Sequence, residues 1–268
     1  MNVRRFFKFS LVICFAAMCC ERVVGAAPEE TVNHAQPSVQ EWGHLSGTFL
    51  YDGKAPERKQ IDTSAVKLNV GPIYDQSLIV GPNGGVANVV VYVRTKDVPI
   101  HKEYEKTAQA VVNYVCRNLQ FEPHVQVVRT TQSLEFRNLD PIFGNVNFMP
   151  LGGPGLNPLL LQAGAIKFQP TRQQFIPQVI SCNIHPWKKG FILIRDNPYF
   201  AVTDETGKFE IKNLPARELE FQFWHERAGY LVALPAWDKG RMTLMIKPGE
   251  NVLSEKPIKL SPKLFEDK

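Results

Sequence analysis

The stretch QVISCNIHPWKKGFILIR, residues 178–195, decides how the chain folds. It opens on a short apolar run, Gln178–Ser181, and closes on another, Phe191–Arg195. Both use the β-branched and aromatic residues that fit a pleated, half-buried surface. The segment therefore reads as strand, loop, strand. Its loop, Cys182-Asn183-Ile184-His185-Pro186-Trp187, has two residues between the cysteine and the histidine. That spacing lets one short loop turn a soft thiolate and an imidazole toward a single metal ion.

Outward from this stretch the β signal continues almost without interruption. Gly47–Tyr51 ends in the turn Asp52-Gly53, and Ser77–Val80 leads into the glycine-rich turn at 81–85. Val86–Val93 (VANVVVYV) is β-branched and long enough for a core strand. Further strands are expected at Ala110–Val115, Val125–Arg129, Ser133–Arg137 and Asn145–Phe148. Beyond the stretch they are expected at Tyr199–Thr203, Lys208–Ile211, Glu218–His225, Met242–Ile246 and Ile258–Leu260. Residues 150–158 (PLGGPGLNP) hold three glycines and three prolines and must be a loop. Lys102–Gln109 is polar and suits one helical turn; long amphipathic helices are absent. Short strands at regular spacing predict an all-β fold of sandwiches.

Residues 1–26 read as a secretory signal. Arg4, Arg5 and Lys8 precede an apolar core at 9–20, and Val24-Gly25-Ala26 offers small residues for cleavage. A short membrane anchor is the alternative reading. Residues 27–40 are polar, lack an apolar period and read as a linker. The whole chain has 268 residues, five cysteines and a net charge of +5. Removing the signal takes away four basic residues, one acidic residue and three cysteines, which leaves +2 and only Cys116 and Cys182. No basic stripe interleaved with aromatic residues follows a phosphate track, so nucleic acid is not an expected partner. Nor is there a nucleophile elbow, a zinc-protease helix, a phosphate-binding loop or a dinucleotide fingerprint. The chain is expected to be exported, periplasmic or extracellular, without a membrane span once the signal is removed, and not an enzyme.

Two resemblances follow from specific residues. Val202–Ile211 (VTDETGKFEI) and then Asn213-Leu214-Pro215-Ala216 resemble the carboxypeptidase regulatory-like β-sandwich, a prealbumin-type module, although Arg217 stands where such modules usually have glycine. The module's opening pieces lie far upstream, in Gly47–Pro56 and Ala87–Val93. Residues 41–98 and 198–261 are therefore expected to form one discontinuous sandwich around an insert at roughly 104–196; three consecutive units are the alternative. In domain terms this gives an N-terminal β segment at 41–103, an insert at 104–197 and the module's remainder at 198–268.

Within the insert, Phe136-Arg137-Asn138-Leu139-Asp140-Pro141 followed by the Cys182–Trp187 loop resembles the cupredoxin-like proteins of the plastocyanin and methylamine-utilisation type. Asn197–Asp204 matches the segment that follows in those proteins. The resemblance implies a Greek-key sandwich and copper held by two histidines, a cysteine and a weak axial methionine, of which this chain keeps Cys182 and His185. The family's upstream histidine falls at Gly144 and its methionine at Lys188. The nearest other soft or nitrogen donors are Met149, His124 and Cys116; Met149 is expected in the core or at a rim, and His124 as a hydrogen-bonded surface residue. Lys188-Lys189 is expected as a solvated turn, Trp187 as packing that shapes the loop, with a partner-facing aromatic as the alternative, and Trp224-His225 as sandwich core plus a rim histidine. In an oxidising compartment Cys116 and Cys182 are expected to form a disulfide, which would close a loop of about 66 residues and add roughly 4 kcal/mol. A Cys182 thiolate on a metal and two free thiols are the alternatives.

Three functions compete. One is a binding or scaffolding role at the cell envelope, toward a protein or glycan, on a cupredoxin-like unit without cofactor. The second is copper electron transfer through Cys182 and His185. The third is carbohydrate binding by the sandwich.

Overall fold

The computed structural model describes residues 40–66 and 71–266. The signal expected at 1–26 and residues 27–39 of the linker lie outside them. The described chain is all-β, built from stacked sheets with three short 3₁₀ turns. One of those turns, Lys102–Thr107, falls where the sequence suggested a single helical turn.

The first strand, Trp42–Tyr51, is the centre of a sheet assembled from both ends of the chain. It pairs antiparallel with Lys208–Pro215 and parallel with Gly249–Val252 and Ile258–Leu260. The facing sheet is built the same way. Val90–Val93 lies between Phe200–Val202 and Glu218–His225. Glu218–His225 pairs on with Gly229–Tyr230 and Arg241–Met245. Leu45, Phe49, Val91, Phe209, Leu219 and Phe223 are among the buried residues of the core that these strands share.

The intervening chain makes a second pair of sheets. In one, Ser133–Asn138 runs parallel to Val111–Arg117 and antiparallel to Ala165–Phe168. Gln120–Glu122 folds back on Val111–Arg117. In the other, Lys189–Arg195 runs parallel to Val125–Arg129 and antiparallel to Gln178–Ser181. Tyr114, Phe136, Phe148, Ile180, Ile192 and Ile194 belong to the core of this part.

Alternation along the strands joins the two cores. Successive side chains of a strand face opposite ways. Val91 and Val93 belong to the first core, while Val90 and Tyr92 join Val125, Val127, Phe191, Leu193 and Trp224 in a third buried cluster. A strand covered on both faces reads as a continuous apolar run, which is why VVVYV shows no polar alternation. Each fully buried side chain of this kind contributes about 1.5–3 kcal/mol.

Several strand boundaries differ from the sequence reading: the first strand starts at Trp42 rather than Gly47, and the expected Asn145–Phe148 strand is split into Gly144–Asn145 and Asn147–Phe148. The expected Val86–Val93 strand begins only at Val90, because Asn88 takes a left-handed backbone (φ 63) that breaks the ladder. The strand expected at Lys208–Ile211 runs on to Pro215. Leu214 is fully buried and pairs with Gly43, so packing overrides the turn tendency of Leu-Pro.

Candidate functional site

The Cys182–Trp187 loop is closed by two backbone hydrogen bonds, from Cys182 N–H to Lys188 O (3.1 Å) and from Lys188 N–H to His185 O (2.9 Å). This tight return places Cys182 Sγ 3.6 Å from His185 Nδ1. The same sulfur accepts the His185 N–H at 3.4 Å and lies 3.3 Å from Asn145 Oδ1. Asn145 clamps the loop from the neighbouring segment, its Oδ1 accepting the N–H groups of Asn183 (2.8 Å) and Ile184 (3.4 Å). Burial and the adjacent Lys188 hold the His185 imidazole below its ordinary value, against the pull of Asp140.

Gly144 faces this pair. A Cβ built on it would lie 3.6 Å from Cys182 Sγ, 3.8 Å from His185 Nδ1 and 3.8 Å from Lys188 Nζ. A side chain at 144 would thus grow into the space where the thiol, the imidazole and the lysine converge. The glycine brings nothing to it.

Lys188 corrects the expected solvated turn. Its side chain is 1% exposed, and its ammonium donates to Asp140 Oδ2 at 2.8 Å and to Cys116 Sγ at 3.2 Å. An ammonium is tolerated out of water when its charge is paired and its protons are bonded. The partner is 48 residues away in sequence, so no local pattern announces it. Asp140 is itself buried. It accepts the Leu119 N–H at 3.1 Å and the Cys116 thiol at 3.3 Å, and its own N–H donates to Asn138 Oδ1. Leu119 holds a left-handed backbone (φ 58), rare for leucine, in the turn that delivers this N–H. Burial opposes the charge on Lys188, but Cys116 and Asp140 outweigh it and raise its pKa. Burial also pushes the Cys116 thiol up to about 12.

The expected Cys116–Cys182 disulfide is not formed: both cysteines are buried free thiols. Cys116 is engaged by Asp140 and Lys188, and Cys182 by Asn145 and His185. Each sulfur therefore has its own polar partners. The expectations for two histidines also change. His124 is buried rather than at the surface, with Nε2 2.6 Å from Glu226 Oε2 and Nδ1 3.1 Å from Gln76 Oε1. His225 is not at a rim but 1% exposed, its ring edge-on to Phe265. Met149 is 57% exposed. Trp187 is half-buried with its ring 5.4 Å from that of His185.

The donor set does not fit a copper ion. Cys182 and His185 are two donors, Gly144 supplies no third, and a buried ammonium stands beside them. Among the described residues no group of three or more His, Cys, Asp or Glu side chains is gathered closely enough to hold a metal. Sequence reasoning missed Asn145 and Asp140. Asp140 lies in the Phe136–Pro141 motif that carried the resemblance and Asn145 directly follows Gly144, so their positions were in view, but only the fold shows what they touch.

No family model matches the chain, and no curated protein is similar to it. Solved structures similar to part of it include a copper-containing nitrite reductase from Thermus scotoductus SA-01, at 22% identity and a TM-score of 0.28. That match covers 31% of this chain and spans only 22% of the reductase. A purple cupredoxin from Nitrosopumilus maritimus matches over 31% of this chain and 98% of its own, at 14% identity and a TM-score of 0.27. An amicyanin variant in its Cu(I) form matches over 39% of this chain and 98% of its own, at 16% identity and a TM-score of 0.29.

Proposed function

We propose that the protein is an exported, non-enzymatic β-protein that serves a binding or scaffolding role at the cell envelope, on a cupredoxin-like unit that holds no copper. One observation carries this reading. Gly144 is the point from which a third donor would reach Cys182 and His185, and it has no side chain. A thiol and one imidazole are two of the three donors of a trigonal copper set, and two donors hold a metal weakly. Exposed apolar side chains on the surrounding loops support a binding role: Leu139 is 41% exposed, Phe143 53%, Leu161 65% and Ile184 42%. Apolar side chains left in water mark interaction sites when they form a continuous patch. A charge of only +2 after signal removal favours a protein or glycan partner over nucleic acid.

The competing copper reading draws on the 3.6 Å approach of Cys182 Sγ to His185 Nδ1. Loading purified protein with copper(II), followed by dialysis and metal analysis, separates the two. The expected result is background copper and no visible copper–thiolate band. Stoichiometric copper, with a band that disappears in Cys182→Ser, would overturn the copper-free reading.

A further inference from the structure

Lys188 is unusual in its placement. Lysines ordinarily bury the stem and keep the ammonium in water. Here the whole side chain is 1% exposed, and Nζ is held by Asp140 at 2.8 Å and Cys116 at 3.2 Å. The ammonium lies 3.8 Å from the Cβ position of Gly144, the point on which Cys182 Sγ and His185 Nδ1 also converge. The space left among Gly144, Cys182, Cys116 and Lys188 is about 10 Å³, no more than one water molecule needs. Asp140 supplies the countercharge and is fixed in turn by the Leu119 N–H. A positive charge beside a thiol and an imidazole, neutralised by a buried carboxylate, is the electrostatic arrangement of a metal site.

We propose that the Lys188 ammonium is the resident cation of this site, carried by the chain in place of a metal ion, with Gly144 providing the room it occupies. This rests on the copper-free reading above and names what fills the site. The absence of a third donor is then only half of the barrier to copper. An imidazole introduced at 144 would still meet an ammonium tied to Asp140, and a cation repels a metal ion at this range. Copper should enter only when the lysine is removed as well.

The test uses the full chain in four forms: wild type, Gly144→His, Gly144→His with Lys188→Met, and that pair with Asp140→Asn added. The last form removes the carboxylate that would otherwise be buried unpaired, and so protects the fold. Each is treated with copper(II) chloride and dialysed, then assayed for bound copper, visible absorption and circular dichroism. Wild type and Gly144→His should stay at background. The forms lacking Lys188 should retain about one copper per chain and show a copper–thiolate band, which Cys182→Ser should abolish. Equal uptake by Gly144→His with Lys188 in place would overturn the proposal. So would a folded triple variant that stays at background while the wild type is also copper-free. Copper in the wild type would instead overturn the copper-free reading itself. A measurement on the wild type alone stands beside these. Nitrogen-15 spectra of its lysine ammonium groups should show one slowly exchanging NH₃⁺ signal at neutral pH, and its absence would also count against Lys188 as a buried cation.

Discussion

The Lys188–Asp140 pair makes the sharpest demand on stability of any two residues in the site. Removing one partner of a buried pair leaves a bare charge and costs about 3–5 kcal/mol, whereas removing both can be nearly neutral. Lys188→Met should therefore lower the unfolding free energy by about that amount, and adding Asp140→Asn should restore most of it; urea denaturation measures both. The pH dependence has a definite sign. The folded pKa of Lys188 lies above its ordinary value, so its contribution is complete at neutral pH and is lost as pH rises through the folded value. His225 behaves differently at the acid end. Burial, helped by His124 and Arg227 and opposed by Glu226, pushes its pKa down to about 4. Below its ordinary value near 6.5 the unfolded chain takes up a proton that the folded chain refuses. Stability should fall as pH drops from about 6.5 toward 4, and His225→Gln should flatten that slope in midpoints measured across the range. An unchanged slope would show that other groups govern it.

Among the elements, the turn between Phe200–Val202 and Lys208–Pro215 shows how a local motif and a distant strand specify each other. Asp204 Oδ1 accepts from the Thr206 N–H at 2.8 Å and the Thr206 hydroxyl at 2.6 Å, an Asx-type closure legible in Asp-Glu-Thr-Gly. Gly207 has φ +75, and a Cβ there would lie 2.0 Å from the carbonyl oxygen of Phe49. Only glycine fits, because the obstructing atom belongs to the backbone of Trp42–Tyr51 and cannot swing aside. The approach is used: Phe49 N–H donates to Gly207 O at 2.9 Å. Gly207→Ala should cost at least about 1–3 kcal/mol, by left-handed strain alone, and more if the clash moves the strand. Chemical denaturation of that single variant checks it, and a loss under about 0.5 kcal/mol would mean that the turn gives way easily.

At the scale of the whole molecule, the arrangement of strands ties the chain ends together. The 198–266 segment completes neither sheet by itself: Glu218–His225 pairs within it with Gly229–Tyr230 and Arg241–Met245, but Lys208–Pro215 needs Trp42–Tyr51, and Phe200–Val202 and Glu218–His225 are joined only through Val90–Val93. Expressed alone, residues 198–266 should give an unfolded circular dichroism spectrum and poorly dispersed amide resonances. A dispersed spectrum would show that this part can complete its core unaided. The third buried cluster, Val90, Tyr92 and Trp224 against Val127, Phe191 and Leu193, then couples the two parts. Destabilising one should lower the stability of the other.

Local rules settle a good deal of this protein. Period-two alternation, β-branched runs and turn residues made it all-β, and Val125–Arg129, Gln178–Ser181, Glu218–His225 and Ile258–Leu260 fall where those rules put them. The Cys182–His185 spacing likewise announced that a thiol and an imidazole would meet, because a two-residue gap in a tight loop leaves them little freedom. Short pairings such as Gly249–Val252 were not legible, since GENV has no apolar alternation and is a strand only because Trp42–Tyr51 offers it an edge. The burial of Lys188, the separate partners of Cys116 and Cys182, and the burial of His124 against Glu226 were decided by tertiary structure alone. The physical reason is shared. Whether a polar group stays in water depends on a partner that pairs its charge or its protons, and here those partners, His185 beside Cys182 apart, arrive from 24 to 102 residues away.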